Sequence, residues 1–197
     1  MTVEPAEIET RLARHAEWVR TQGRWGERLV AERLDLHGYD LRGHELSEAV
    51  LPNADFSEAD LSGVSLYAGQ FRGARFDGGK LDAARLGKAD LTTASLARAS
   101  LRETELYRCT LDRAILRDAD LTGAKLGGAE LLETDLRGCL LDRVDVTRTS
   151  FLGANLATAT VRNWTGLDTA VADNVVVSTD PDAPRLSGDE FVTWATG

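Results

Sequence analysis

Residues able to do acid–base, nucleophilic or metal chemistry are scarce in this chain. Of its 197 residues, three are histidine and two are cysteine. His15, His37 and His44 lie in the first quarter, and neither His37 nor His44 has a ligand-like spacing to a cysteine or to the other. Cys109 and Cys139 lie far downstream, and no phosphate-binding loop, nucleophile elbow or dinucleotide fingerprint occurs. We therefore expect no catalytic residue, no metal site, no bound cofactor and no enzymatic activity.

The composition predicts a soluble, acidic protein with an aliphatic core. Hydrophobic residues make up 43% of the chain, aromatic residues only 6%, and the formal net charge is −9. This charge argues against direct binding of nucleic acid, which needs a basic surface. The sequence has no run of 18 apolar residues that could span a membrane. Its first residues contain neither the basic segment nor the apolar segment of a signal peptide. We expect a cytoplasmic protein, and 20 arginines against three lysines favour a bacterial source.

The elements that position these residues follow from a repeat of five. From Leu36 to Val161, every fifth residue is apolar, with 20 leucines, four phenylalanines and two valines in 26 consecutive positions. A second series lies two residues before each of these positions and is mostly alanine. In a helix, five residues advance about 500°, so the leucines would form no stripe. In a straight strand, an odd period would alternate faces, so the chain must turn once per repeat with both series inward.

The repeats resemble a known family. The segments 59–63, 89–93 and 119–123 read Ala-Asp-Leu-Ser-Gly, Ala-Asp-Leu-Thr-Thr and Ala-Asp-Leu-Thr-Gly, and they are similar to the pentapeptide repeat, Ala-(Asp/Asn)-Leu-X-X. The resemblance covers about residues 34–162. It implies an all-β solenoid, a right-handed quadrilateral parallel β-helix with one repeat per side and about 20 residues per coil, so about 6–7 coils in all.

The repeat also places three of the residues that could do chemistry. His44, Cys109 and Cys139 all occupy the inward position that alanine usually fills. On a four-sided coil the two cysteines fall on opposite sides, one and a half coils apart, which is too far for a disulfide. We therefore expect a structural histidine and two buried, free cysteines.

A β-helix leaves unpaired strand edges at its ends, which need covers. Residues 5–20 predict an amphipathic helix that caps the first coil, because apolar residues recur there at helical spacing: Ile8, Leu12, Ala16 and Val19. The predicted organisation is an N-terminal helical cap over 1–30, a β-helix over 31–165 and a C-terminal non-repeat segment over 166–197.

The C-terminal segment predicts two short elements. Val175–Val177 is a candidate strand. Ser187 and Glu190 have the spacing of a capping box, which predicts a short helix carrying Phe191 and Trp194. This helix either caps the last coil or joins two copies, as the resemblance to quinolone-resistance relatives implies. The protein is accordingly expected to be a monomer or a homodimer formed through its C-terminal segment.

One candidate interaction surface lies on the side of the coil that contains Leu46. Tyr67 and Tyr107 share a column there with Gly87 between them, and Lys88 and Arg108 stack beside them. Exposed tyrosine next to arginine is typical of protein–protein interfaces. We call the four residues Tyr67, Lys88, Tyr107 and Arg108 the tyrosine patch.

A second candidate is an apolar pair on the next side. Leu132 and Leu152 are outward neighbours one coil apart. An exposed apolar pair usually has a cover, and the C-terminal segment with Phe191 and Trp194 is the predicted cover. These four residues are therefore candidate cap or dimer contacts.

A third candidate is acidic. Residues 43–71 contain five acids and no lysine or arginine, and we call these acids the acidic patch: Glu45, Glu48, Asp55, Glu58 and Asp60. The best-studied relatives in the family protect DNA gyrase or topoisomerase IV from quinolones or peptide toxins by mimicking DNA. A 30 Å stretch of B-DNA carries roughly 18 charges. Residues 31–165 carry 21 acids and 17 bases, a net charge of only −4.

The sequence therefore favours a non-catalytic protein–protein interaction scaffold whose partner is another protein, with no direct contact to nucleic acid or membrane. The alternative is a DNA-mimicking binder of DNA gyrase or topoisomerase IV that protects against a quinolone or a topoisomerase-directed toxin. Under that alternative, the acidic patch would meet the basic surface of the enzyme.

Overall fold

A computed structural model describes residues 5–197, so residues 1–4 of the predicted N-terminal cap lie outside the described part of the chain. Regular helices and strands are short and few in the described part. They are α1 (Pro5–Arg20), β1 (Leu140–Asp142), β2 (Thr160–Arg162), a 3₁₀ helix (Leu167–Thr169) and α2 (Gly188–Thr196). None of these helices is long and apolar enough to cross a membrane.

The chain between the two α-helices forms a four-sided parallel coil. Bridges join residues 20 positions apart, and the four ladders begin with the pairs Val30–Val50, Asp35–Asp55, Asp40–Asp60 and Glu45–Ser65. β1 and β2 continue one of these ladders, with Leu140 opposite Thr160. The step of 20 holds up to the Asp145–Thr165 pair. Each five-residue repeat therefore forms one side of the coil, and most sides contribute a single bridged residue before the chain turns.

The corner of each repeat is a tight turn. The amide of Tyr39 donates to the carbonyl of Leu36 at 3.1 Å, and Gly38 between them has a φ of 66°. A positive φ recurs at every fifth residue from Arg33 to Asn163, as the third position of a type II turn requires. Glycine occupies only nine of these 27 positions. The other 18 side chains are held in the left-handed region, which β-branched residues such as Thr93 seldom adopt.

The aspartates of the repeat bind the backbone at these corners. Asp55 Oδ1 accepts a hydrogen bond from the amide of Ser57 at 2.9 Å. In the same way, the amide two residues later donates a hydrogen bond to the side chains of Asp60, Asp90, Asp120 and Asp145. Asp77 and Asp82 instead accept from the amide 20 residues later. Aspartate therefore recurs in the repeat because it satisfies the turn amides.

The inward side chains form one continuous core. Every member of the apolar series from Leu36 to Leu156 is buried. Phe56 and Phe76 stack with ring centroids 4.7 Å apart, and Phe71 meets both edge-on at 5.9 Å. A Cβ atom added at Gly69 would overlap the ring of Phe71. Glycine thus replaces the usual alanine where a phenylalanine ring needs the space.

Polar residues in the alanine position bond to the previous coil. Thr104 Oγ1 donates to the carbonyl of Leu81 at 2.8 Å, and Thr134 and Thr149 repeat this contact. Cys139 Sγ lies 2.9 Å from the carbonyl of Leu116. Both cysteines are free and buried, as predicted. Burial raises the pKa of both thiols, that of Cys139 to about 12, so both stay protonated.

Helix α1 packs on the first coil. Its bounds agree with the predicted helix, and Ile8 and Leu12 join the same core cluster as Leu29. The buried face also includes His15, whereas Ala16, which was predicted for that face, is only half-buried. His15 Nδ1 accepts a hydrogen bond from the amide of Leu29 at 3.0 Å. The helix therefore meets the rod through both apolar packing and a buried hydrogen bond.

A second contact between α1 and the rod involves Glu9. Tyr39 Oη donates to Glu9 Oε1 at 3.1 Å, and His44 Nε2 lies 3.8 Å from Glu9 Oε2. His44 is half-buried beneath the helix rather than sealed in the core. Its contact supports the predicted structural role.

The coil continues beyond the end of the apolar series. Ser150 pairs with Val171 and Asn155 pairs with Val176, a step of 21 instead of 20. The extra residue falls in the segment that holds the 3₁₀ helix Leu167–Thr169. Val175, in the predicted short strand, also pairs antiparallel with Leu186. The last ladder contacts therefore lie beyond residue 165, where the repeat pattern is no longer visible.

Helix α2 begins where the sequence predicted, but without the capping-box hydrogen bond. No side-chain bond caps its N-terminus at Ser187. Ser187 Oγ instead donates to Asp173 Oδ1 at 2.7 Å and accepts from the amide of Asn174 at 3.1 Å. The serine thus ties the helix to the preceding loop, which competes with the capping contact.

Candidate protein-interaction surface

The tyrosine patch lies along a column in which tyrosine and glycine alternate. Tyr67, Gly87, Tyr107 and Gly127 follow one another at the 20-residue step. A Cβ atom at Gly87 would lie 3.3 Å from Tyr67 Cδ2, and one at Gly127 would lie 3.1 Å from Tyr107 Cδ1. Each ring therefore covers the glycine of the next coil, while Tyr67 and Tyr107 remain 41% and 38% exposed.

Cations stand beside these rings. Lys88 Nζ lies 5.2 Å from the centroid of the Tyr67 ring, in a cation–π contact. All four residues of the tyrosine patch line one groove of about 470 Å³. The groove is completed by Ser47, Ser65, Arg85, Gly87 and Glu105. The sequence predicted that the four patch residues lie side by side. The structure adds that they line one groove and that Arg85 also lines it.

Four of the five basic residues between positions 31 and 165 on this side lack an acidic partner, and the fifth, Lys125, pairs with Glu105 at 3.1 Å. Among residues 5–197, no carboxylate oxygen lies within 4.0 Å of a basic group of Arg85, Lys88, Arg108 or Arg148. Basic residues on other sides are mostly paired, as in Arg72–Asp90 at 3.1 Å, Arg102–Asp120 at 2.8 Å and Arg113–Glu133 at 2.9 Å. The groove is therefore locally positive in a chain of net charge −9.

The acidic patch does not form one surface. Glu45 and Glu48 lie on the side of the tyrosine patch, whereas Asp55 and Glu58 lie on the opposite side, because their ladders are two steps apart around the coil. Asp60 lies on the side between them. The five acids are close in sequence, but the four-sided turn distributes them over three faces.

The two aspartates of the acidic patch also have structural partners, and Glu45 Oε1 accepts a hydrogen bond from the amide of Ser47 at 2.8 Å. Burial alone would raise the pKa of Asp55, but hydrogen bonds from Ser57 and the Arg75 guanidinium at 3.3 Å hold that pKa below its usual value. Hydrogen bonds from Ser62 likewise lower the pKa of Asp60. These carboxylates support turns and cross-coil pairs, which reduces the charge that they present to a partner.

The prediction that the C-terminal segment covers Leu132 and Leu152 is wrong within the single chain. Both leucines are exposed, at 36% and 37%. Phe191 is instead buried at the end of the coil, 5.4 Å from Phe151 between ring centroids, and Trp194 packs on it at 5.8 Å. Helix α2 therefore packs on the aromatic rings of Phe151 and Trp164 at the end of the coil and leaves the leucine pair exposed.

The described residues contain no group of three or more histidine, cysteine, aspartate or glutamate side chains placed to hold a metal ion. His15, His44 and both cysteines have the packing roles described above, whereas His37 is exposed. The tyrosine patch, with its exposed rings and unpaired cations, is therefore the candidate protein-interaction surface.

Comparisons with solved structures find the same kind of fold. QnrB1, a plasmid-mediated fluoroquinolone resistance protein, is 19% identical over 75% of this chain and 84% of its own, with a TM-score of 0.50. HetL from the cyanobacterium Nostoc sp. strain PCC 7120, described as involved in heterocyst differentiation regulation, is 20% identical over 94% of this chain and 100% of its own, with a TM-score of 0.42. A search of curated proteins found no significant match.

The family comparison covers more than half of the chain. The model described as "Pentapeptide repeats (8 copies)" matches five overlapping segments, at residues 33–66, 40–78, 70–106, 80–118 and 114–151. Members of this family fold as right-handed quadrilateral β-helices, and the four parallel ladders agree with that architecture. The chain belongs to the pentapeptide-repeat family.

Proposed function

We propose that this protein is a non-catalytic scaffold for protein–protein interaction. The observation that carries the proposal is the tyrosine patch, where exposed aromatic rings and unpaired cations border one groove. Aromatic residues and arginine are enriched in protein interfaces and often dominate their binding energy. Pentapeptide-repeat proteins are generally non-enzymatic structural or interaction proteins, which also supports the proposal.

The backbone beneath the patch supports this role. The amide of Lys88 donates to the carbonyl of Tyr107 at 2.8 Å, and the amide of Arg108 donates to the carbonyl of Gly127 at 3.0 Å. Such ladders hold the patch residues in place before a partner arrives. A pre-organised surface loses little conformational entropy on binding, which favours affinity.

The proposal includes end caps and a location. Contacts of Ile8, Leu12 and Phe191 with the core support α1 and α2 as caps on a rod of about 6–7 coils. The acidic, arginine-rich composition supports a bacterial cytoplasmic protein with a protein partner. Light scattering of the wild type and of Trp194→Ala would distinguish a monomer from a homodimer formed through α2.

Affinity capture from cell lysate tests the scaffold role. The double variant Tyr107→Ala/Arg108→Ala should lose a partner that the wild type retains, with an unchanged circular dichroism spectrum. The matched control is Lys80→Ala/Arg98→Ala, since these cations are also unpaired but lie on other sides. Equal capture by all three proteins would remove the tyrosine patch as the interaction surface.

A second candidate function is DNA mimicry toward DNA gyrase or topoisomerase IV. The observation that favours it is that Glu45, Glu48 and Glu58 have no ion-pair partner among residues 5–197. The distribution of the acidic patch over three faces argues for the scaffold instead. The fold that this chain shares with QnrB1, a fluoroquinolone resistance protein, also supports this second candidate.

A gyrase supercoiling assay with and without a fluoroquinolone tests this second function. DNA mimicry predicts inhibition or protection at micromolar protein, and predicts that lysine substitution of Glu45, Glu48 and Glu58 abolishes either effect. Supercoiling that is unaffected by the wild-type protein under both conditions would eliminate a topoisomerase role.

A further inference from the structure

The groove at the tyrosine patch combines an apolar gap with a cationic rim. Gly87 has no side chain and the Tyr67 ring covers part of it, so the groove between Tyr67 and Tyr107 keeps an apolar floor. Arg85, Lys88 and Arg108 border this gap. The gap can accept a flat or branched apolar side chain, and the rim can bind anions next to it.

The charge of the rim is concentrated and uncompensated. Of the 17 basic residues between positions 31 and 165, seven have no ion-pair partner among residues 5–197, and four of these seven lie on the side of the groove. The one acid in the lining, Glu105, is neutralised by Lys125 Nζ at 3.1 Å. The groove therefore has an excess of about three positive charges over a few coils.

The two ends of this side differ in charge. Glu45 and Glu48 lie on the first coil, and Lys88 and Arg108 lie two and three coils further on. Coils are about 4.8 Å apart, so the sign changes over roughly 10–15 Å. An anionic ligand would be attracted at the basic end and repelled at the acidic end, which limits its length.

We propose that the groove binds a short acidic segment of a partner polypeptide, with an apolar side chain over Gly87 and carboxylates at Arg85, Lys88 and Arg108. The inference rests on the proposed scaffold function and specifies the chemistry of its partner. Arg85 and Lys88 lie on one coil and Arg108 lies on the next, about 4.8 Å away, and neighbouring carboxylates on one face of an extended peptide are about 7 Å apart. Three or four residues of such a peptide would span the basic stretch.

A peptide fits this surface better than a nucleic acid does. The whole chain carries −9, and the acidic end of this side, with Glu45 and Glu48, would repel a polyanion longer than the groove. A short acidic segment stays within the local positive potential. The apolar gap over Gly87 adds a contact that a phosphate backbone would not use.

Fluorescence anisotropy with a defined probe tests the inference. The probe is a labelled peptide of sequence Glu-Asp-Glu-Trp-Glu-Asp-Glu, and the control peptide replaces every acid with lysine. The full-length protein should bind the acidic probe and not the basic one, with an affinity that falls as salt rises from 50 to 500 mM. Labelled single-stranded DNA of seven nucleotides serves as the competing polyanion and should bind more weakly than the acidic probe.

Two charge-matched variants separate the groove from general electrostatics. Lys88→Glu/Arg108→Glu should weaken binding of the acidic probe about ten-fold or more, whereas Lys80→Glu/Arg98→Glu should change it less than about two-fold. Both variants alter the net charge equally. Gly87→Leu should also weaken binding by filling the gap, and thermal unfolding checks that each variant is folded.

Several results would overturn the inference. These are no binding of the acidic probe by the wild type, an equal loss in both charge variants, or tighter binding of the DNA. Failure here is distinguishable from failure of the scaffold role, because lysate capture that depends on Tyr107 and Arg108 would persist if the partner has a different chemistry.

Discussion

At the scale of single residues, the fold depends on left-handed backbone at every corner. Eighteen of the 27 corner positions carry a side chain at positive φ. Each such residue has an unfavourable contact between its Cβ atom and the backbone, worth roughly 1–2 kcal/mol. The hydrogen bonds of the ladders and the burial of the leucines offset this strain. The pattern of hydrophobic residues in the sequence does not reveal the strain.

Thr93 is the clearest place to relieve the strain. It is β-branched, has a φ of 58° and is exposed, so we predict that Thr93→Asn stabilises the protein by about 1 kcal/mol. Asparagine tolerates the left-handed region better than threonine does. Urea unfolding measures the change. Thr92→Asn, at a neighbouring corner position without positive φ, should leave the free energy of unfolding unchanged within about 0.5 kcal/mol.

Predictions for single residues were right where they followed from the five-residue repeat, and incomplete where they followed from counting charges along the chain. The inward positions of Cys109 and Cys139 follow from counting by five, and both are buried. The acidic patch was a count along the chain, and charge counts contain no information about which side of a coil each acid occupies. Asp55 and Asp60 bind turn amides, a role that depends on backbone geometry rather than on composition.

At the scale of a coil, packing of large and small inward residues is coupled. We predict that Gly69→Ala destabilises the protein by about 1–3 kcal/mol, because the new methyl group would overlap the Phe71 ring. Phe71→Leu should cost about 1–2 kcal/mol by itself, and much less in the presence of Gly69→Ala. A double-mutant cycle by urea unfolding measures the coupling. Strictly additive effects would mean that the ring and the glycine are independent.

At the N-terminal element, His15 makes stability depend on pH. Burial lowers the pKa of His15 below the 6.5 of an exposed histidine. The unfolded chain therefore binds the proton first as pH falls, so the stabilisation is complete above about pH 6.5 and declines below it. The acidic groups titrate mainly below pH 5, which separates the two effects.

Unfolding in urea at pH 7.5 and pH 5.5 measures this dependence. The wild type should lose stability between the two values, and His15→Asn should lose less, because asparagine can accept the Leu29 amide without titrating. The same slope in the wild type and His15→Asn would contradict the assignment.

The two terminal elements show what sequence patterns can and cannot specify. Helix α1 has regular apolar spacing, so its bounds were predictable, although the buried place of His15 was not. Beyond Val161 the apolar series stops, so the extra residue near Leu167–Thr169 and the continued pairing to Val176 left no periodic signal. Phe191 packs against Phe151 and Trp164 and so shields their rings from solvent at the end of the coil. These contacts join residues far apart in sequence, so local spacing does not predict them.

At the scale of the whole molecule, the fold is a linear stack. Each coil contacts only the coils before and after it, so stability is close to a sum over coils and their interfaces. The overall architecture was therefore predictable from one repeat unit. The 20-residue step also predicted which patch residues lie side by side. It did not predict that Arg85, Lys88 and Arg108 lack acidic partners among residues 5–197, because ion pairing depends on the positions of the side chains.

A linear stack should tolerate the loss of one whole coil. Deleting residues 131–150 joins Glu130 to Phe151 and leaves the five-residue pattern, the 20-residue step and every groove-lining residue unchanged. We predict a folded protein whose urea m-value falls by about a tenth, because 20 of 197 residues are removed, with unchanged binding of the acidic probe. Deleting residues 131–147 instead removes 17 residues, breaks the inward series at the join and should unfold the C-terminal coils. Circular dichroism and urea unfolding distinguish the two variants, and equal stability of both would show that the period of five does not set the packing.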